Sequence, residues 1–109
     1  METIDVLKAT RALIDTPEKW TKGAYARDAR GRVVGWLDPG ASCFCVQGAF
    51  HKALGHLGDS SFEVWHERVS DAFPAHFNSV QEYNDHPDTT HADIMAVFDR
   101  AIAAEEAKQ

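Results

Sequence analysis

Cys43 and Cys45 stand two residues apart behind Gly40-Ala41-Ser42, and His51 follows within the same stretch. A thiol near a helix start feels the positive end of the helix, which lowers its pKa and raises its nucleophilicity. With one of the histidines as base, His51 among the candidates, Cys45 or Cys43 would give a small thiol-dependent hydrolase. Read as helical positions, i and i+2 point to different sides, so the two thiols are poorly placed to bond to each other or share a metal. Cys43 also falls within an apolar stripe, where a thiol packs as a small hydrophobe. Two reduced thiols is the plainer expectation.

A second cluster is Asp85, His86, Asp88, His91 and Asp93. Imidazole and carboxylate ligands suit zinc or another transition metal, with His86, Asp88 and His91 as the candidate ligands. The spacing matches no site signature, and Asp, Asn and Thr before a helix also serve as loop and cap residues. No cofactor is expected.

The third constellation is Lys19, Trp20, Lys22, Tyr25, Arg27, Arg30, Arg32 and Trp36. Interleaved basic and aromatic side chains can bind single-stranded nucleic acid by stacking. Trp, Tyr and Arg also dominate protein–protein hot spots, and the rings are natural anchors for a hairpin. Nearby in type is Tyr83-Asn84-Asp85, a polar pair beside an aromatic, suited to orienting a ligand or tying down the last helix. These two groups supply the candidate binding residues Lys22, Tyr25, Arg27, Arg30, Arg32, Tyr83, Asn84 and Asp85. The chain has no glycine-rich phosphate loop, nucleophile elbow or paired-carboxylate motif.

The elements that must hold these residues are legible from periodicity. Thr3 precedes a helix whose Val6, Leu7, Thr10, Leu13 and Ile14 share one face, opposite Asp5, Lys8, Ala12 and Asp15. Thr16-Pro17 ends it, and residues 17–20 suit one short turn. Residues 24–37 read as a β-hairpin with Gly31 at the position needing positive φ. Asp38-Pro39-Gly40 is a second turn. Ser42 is expected to cap a helix to about Gly55, with Cys43, Val46, Ala49, Phe50, Ala53 and Leu54 on its apolar face. Ser60 opens a capping box before a stripe of Phe62, Trp65, His66, Val69 and Phe73. A short helix is expected over residues 78–85. The last helix starts after Thr90, with Ile94, Val97, Phe98, Ala101 and Ile102 at i, i+3, i+4, i+7 and i+8. The expected architecture is a mostly helical α+β single domain over residues 1–109, with four to five helices and one hairpin. Trp20, Trp36 and Trp65 are its large anchors.

Length and composition agree with a folded domain. The 109 residues carry 44% hydrophobic and 26% charged side chains, ordinary for a globular protein. No apolar run approaches the ~18 residues that span a bilayer, and residues 1–5 lack the pattern of a secretory signal. A cytoplasmic location without membrane contact is expected. Residues 1–40 hold seven basic residues against six acids, a net of +1; residues 41–109 hold four against eleven, a net of −7. That acidity disfavours nucleic acid as a partner, although an acidic face also permits nucleic-acid mimicry.

Motifs spread over the chain carry a resemblance. They are Leu13-Ile14 with Trp20, Gly23-Ala24-Tyr25-Ala26 with Asp28 and Gly31, and Cys45 with Gly48-Ala49. The tail adds Asn84-Asp85, Thr90-His91-Ala92-Asp93 and Phe98-Asp99-Arg100-Ala101-Ile102. The chain resembles a family of small uncharacterised bacterial and phage proteins, a domain of unknown function. The family usually has an aromatic-Asn-Asp tripeptide and a Trp-Cys pair; here Tyr83 and Phe44 stand where Trp is common. The resemblance implies a compact helical fold, and a bacterial, phage or mobile-element origin, without a mechanism. Residues 38–49 also resemble superficially the cysteine-helix start of papain-like peptidoglycan peptidases, which need a sheet to carry their histidine; one hairpin does not supply it. The residues therefore favour a small non-enzymatic binding or regulatory protein with an unknown protein partner. The thiol hydrolase and the metal module are the alternatives. The oligomeric state is left open.

Overall fold

The computed structural model describes residues 3–56 and 80–108. The element expected after Ser60, with Trp65 and His66, lies outside the described residues. Those described form an α+β arrangement of four α-helices and a three-stranded antiparallel sheet. In chain order these are α1 (Thr3–Leu13), a 3-10 turn (Pro17–Lys19), β1 (Ala26–Asp28), β2 (Val33–Val34), β3 (Ala41–Phe44), α2 (Val46–His56), α3 (Val80–Asp85) and α4 (His91–Ala107).

Helix α1 turns Val6 and Leu7 inward, with Thr10 buried beside them and Ile14 buried just past its end. Thr10 resolves its polarity locally, its hydroxyl donating to the Val6 carbonyl at 2.8 Å. Asp5, Lys8, Ala12 and Asp15 are exposed, as their spacing predicts. Helix α4 buries Ile94, Met95, Val97 and Phe98 and packs Ala101 and Ile102 against the same core. Its start is a capping box: Thr90 Oγ1 accepts from Asp93 N–H at 3.2 Å, and Asp93 Oδ2 accepts from Thr90 N–H at 2.9 Å. This satisfies two amides that a helix N-terminus otherwise leaves unpaired. Helix α1 packs on both α2 and α4, with Phe50, Leu54 and Phe98 in their common core, and Arg11 Nε bridges to Asp99 at 2.9 Å across the α1–α4 seam.

The hairpin closes where the sequence indicates. Gly31 has φ +81°, and Asp28 Oδ1 accepts the N–H groups of Arg30 and Arg32, both at 2.9 Å. Asp38 Oδ1 likewise accepts the Gly40 N–H at 2.7 Å in the second turn.

One expectation is corrected. Residues 41–44 are not the first turn of a helix: they form β3, which pairs antiparallel with β1 in the sheet order β2-β1-β3. A hairpin of three and two residues leaves one edge of β1 with unpaired amides and carbonyls. Residues 41–44 satisfy that edge, with a bulge between Arg27 and Asp28. Helix α2 therefore begins only at Val46, and Ser42 does not cap it. Cys43 lies on the strand, and Cys45 is the residue immediately before the helix.

Candidate functional site

Two constellations stand out: a polar junction around Asn84 and a cluster of rings over the hairpin. Asn84 sits in α3 and is fully buried. Its Oδ1 accepts from Trp20 Nε1–H at 2.7 Å and from Val46 N–H, the first amide of α2, at 3.0 Å. Its Nδ2 donates to the Thr21 carbonyl at 3.1 Å and to Asp85 Oδ1 at 2.9 Å. Only a primary amide offers two donors and a doubly accepting oxygen from one short side chain. One residue thereby joins α3, the start of α2 and the strand-like segment after the 3-10 turn.

Asp85 continues the junction. It accepts from Gly23 N–H at 2.9 Å and from Gln81 Nε2 at 2.8 Å. Burial pushes its pKa up, but the Gly23, Asn84 and Gln81 donors and the Lys22 charge together hold it below the usual carboxylate value. Lys22 Nζ donates to the His86 carbonyl at 2.6 Å and lies 5.4 Å from the Trp20 ring centroid. Gly23 takes φ +77° to present its amide, a conformation open to glycine at little cost.

Cys45 adjoins this junction through Gln81. Cys45 Sγ accepts from Gly48 N–H at 3.2 Å and donates to Gln81 Oε1 at 3.6 Å. It thus caps α2 with sulfur where Ser or Asp is usual. Burial pushes the Cys45 thiol above its ordinary pKa, outweighing the Gly48 and Gln47 amides that favour thiolate; the Asp85 charge raises it further. Cys43 is half-buried, its Sγ 3.8 Å from the Arg27 carbonyl oxygen. His51 lies on α2 and stacks on Trp36.

The other predicted residues have defined positions. His86 Nδ1 accepts from Asp88 N–H at 3.1 Å. His91 Nε2 is 2.7 Å from the Ile14 carbonyl oxygen; a carbonyl only accepts, so this nitrogen carries the proton. Among the described residues, no group of three His, Cys, Asp or Glu side chains is arranged to hold a metal ion. Arg27 donates to Thr21 Oγ1 at 3.1 Å, the Gly31 carbonyl at 3.1 Å and the Lys22 carbonyl at 3.3 Å. Arg32 bridges to Asp28 at 2.8 Å, and Arg30 is exposed. The Arg32 amide, reinforced by the Arg32 guanidinium and the Arg30 amide, holds Asp28 below the usual carboxylate value. Tyr83 packs half-buried against the core, and burial together with the Asp93 charge raises its pKa despite Arg100.

The ring cluster is built by Tyr25, Trp36 and His51. Trp36 and His51 stack at 4.5 Å with 16° between planes, and Tyr25 meets Trp36 edge-on at 5.4 Å and 84°. Its position depends on a close approach. The Tyr25 carbonyl accepts from Cys45 N–H at 3.2 Å, and Gly48 passes so near that a Cβ there would run into the Tyr25 carbonyl oxygen and lie 2.8 Å from its carbon. Tyr25 is 45% exposed, and Leu37, which follows Trp36 in the chain, is 73% exposed. A shallow cavity of about 380 Å³ opens at Leu37, lined by Gly35, Trp36, Leu37 and Asp38.

Asn84, Asp85, Lys22 and Tyr25 are legible in the sequence as candidates, whereas their partners Gln81, Thr21 and Gly23 are not. Gln81 and Asp85 are spaced i, i+4 on a helix, a pairing legible in principle. The contacts of Thr21 and Gly23 span more than sixty residues and carry no local signal.

No curated protein and no solved structure matches the chain. Residues 1–104 match a family described as a family of unknown function, DUF6197. The chain belongs to that family.

Proposed function

We propose that this chain is a non-enzymatic protein-binding or regulatory module, with the Tyr25–Trp36–His51 cluster and adjoining Leu37 as its contact surface. The observation that carries the reading is the packed set of rings with Tyr25 and Leu37 left open to solvent. Rigid aromatic side chains supply much contact area at low entropic cost and dominate binding hot spots. Two features support binding over catalysis. The Cys45 thiol is buried, capped and held protonated. His91 spends its Nε2 proton on a backbone carbonyl. A bacterial or phage origin belongs to the same proposal and rests on the resemblance.

The test is photo-crosslinking in native host extract with a benzophenone side chain at position 37. A discrete protein adduct is expected, lost in Tyr25→Ala, whose side chain is largely outside the core. Adducts unchanged by Tyr25→Ala, or none above an Asp15 control position, would reject this surface.

A further inference from the structure

The ladder between β1 and β2 fixes the direction of each backbone group on β2. Asp28 N–H donates to the Arg32 carbonyl at 2.9 Å, making these residues a hydrogen-bonded pair. Antiparallel pairs alternate between bonded and non-bonded. The register pairs Arg27 with Val33 and Ala26 with Val34, so Arg27–Val33 is the non-bonded pair. The N–H and C=O of Val33 therefore point away from β1. Because β2 is an outer strand, they face its open edge, with no hydrogen-bond partner among the described residues. The Val33 side chain is 65% exposed. Gly31 and Gly35, two positions to either side, carry no side chain to obstruct an approaching strand.

An edge with one outward residue is self-complementary. When two such strands run antiparallel about a two-fold axis, that residue faces its own copy, and the two exchange both N–H···O=C bonds. Charge does not oppose that occupant. The edge lies within residues 1–40, seven basic against six acidic, whereas residues 41–109 hold four against eleven. Two copies joined here meet through their least acidic section. Arg32, beside the edge, is already paired with Asp28 of its own chain at 2.8 Å, so repulsion between copies is small. We propose that β2 is a self-association edge: a second copy of this chain pairs with it antiparallel through Val33, making one six-stranded sheet. This surface is separate from the ring cluster and does not depend on its role.

The contact is small, so the dimer is weak, with a dissociation constant on the order of 0.1 mM. Sedimentation equilibrium of the full chain between about 10 μM and 1 mM, bracketing that value, should show the mass rising from 12.1 kDa toward twice that figure. Val33→Lys, at an exposed position, should weaken association at least tenfold, and Tyr25→Ala should leave it unchanged. The wild-type Val33 amide should exchange its hydrogen several-fold more slowly at the high concentration than at the low one, a readout independent of any variant. A constant monomer mass overturns the proposal, including the case where the edge instead takes a strand from another protein. So does a dimer in which the Val33 amide is unprotected, or one that Val33→Lys leaves intact.

Discussion

The Trp20 indole N–H donates to Asn84 Oδ1 at 2.7 Å across 64 residues of sequence, and that same oxygen accepts the first amide of α2, Val46 N–H, at 3.0 Å. A single buried atom thus sets the seat of the indole and the start of the helix that carries Gly48 and His51. Asn84→Ala would leave Trp20 Nε1–H, Val46 N–H and the Thr21 carbonyl without partners. Each orphaned buried group costs about 1–3 kcal/mol, so the variant should lose on the order of 4 kcal/mol. Urea unfolding followed by tryptophan fluorescence measures this; a loss below about 1 kcal/mol, within the range of one ordinary hydrogen bond, would contradict the role.

Gly48→Ala tests the close approach of α2 to Tyr25. Alanine normally favours a helix interior by about 1 kcal/mol over glycine. Here its Cβ meets the Tyr25 backbone carbonyl, which cannot step aside without moving β1. The expected outcome is a loss of about 2–4 kcal/mol, typical of overpacking that displaces backbone, with the Tyr25–Trp36–His51 stack disturbed. Thermal unfolding and indole fluorescence report the two effects; a stabilised variant would refute the clash.

Cys45 should resist modification until the protein unfolds, because burial keeps the thiol protonated and out of reach. A thiol reagent at pH 8, followed by peptide mass mapping, should label Cys43 before Cys45. Cys45→Ser replaces the sulfur with an oxygen cap for Gly48 N–H, whereas Cys45→Ala removes the cap at about 1 kcal/mol. Equal stability of the two variants would argue against capping.

Asp28 and Asp85 both have lowered folded-state pKa values. A depressed carboxylate stabilises the fold above its unfolded pKa, and the benefit disappears as pH falls through the lower folded value. The melting temperature should therefore hold from neutral pH to about pH 4, the unfolded carboxylate range, and drop below it. Asp28→Asn keeps the side-chain oxygen that closes the hairpin turn but removes the charge. Together with Asp85→Asn it should flatten the acid limb of the curve; a limb unchanged in the double variant would assign it elsewhere.

Arg27 is a clamp. Its guanidinium reaches Thr21 Oγ1, Gly31 O and Lys22 O at once, a fork that a lysine ammonium cannot reproduce. Arg27→Lys should cost about 1–2 kcal/mol, one to two net hydrogen bonds, whereas Arg30→Lys should cost nothing measurable. Chemical denaturation of both variants makes the comparison.

Local rules were readable wherever neighbours in sequence are also neighbours in space. The Thr90–Asp93 capping box, the positive φ at Gly31, the Asp38-Pro39-Gly40 turn and the buried faces of α1 and α4 follow from spacing, because a helix repeat and a four-residue turn involve only local atoms. The stretch 41–45 misled for the same reason. Cys43, Val46, Ala49, Phe50, Ala53 and Leu54 fit a helical stripe, yet residues 41–44 pair with β1. Only the empty edge of a strand more than a dozen residues away decides between those outcomes. The identity of Asn84 likewise declared a buried amide or a cap equally well. Amino-acid order by itself determined the helical faces, the hairpin and an acidic, core-forming chain. Tertiary structure alone decided that Asn84 joins three segments, that Cys45 is a sulfur cap, and that Tyr25, Trp36 and His51 stack. Those facts depend on hydrogen bonds and ring contacts between distant residues, whose partners no local periodicity encodes.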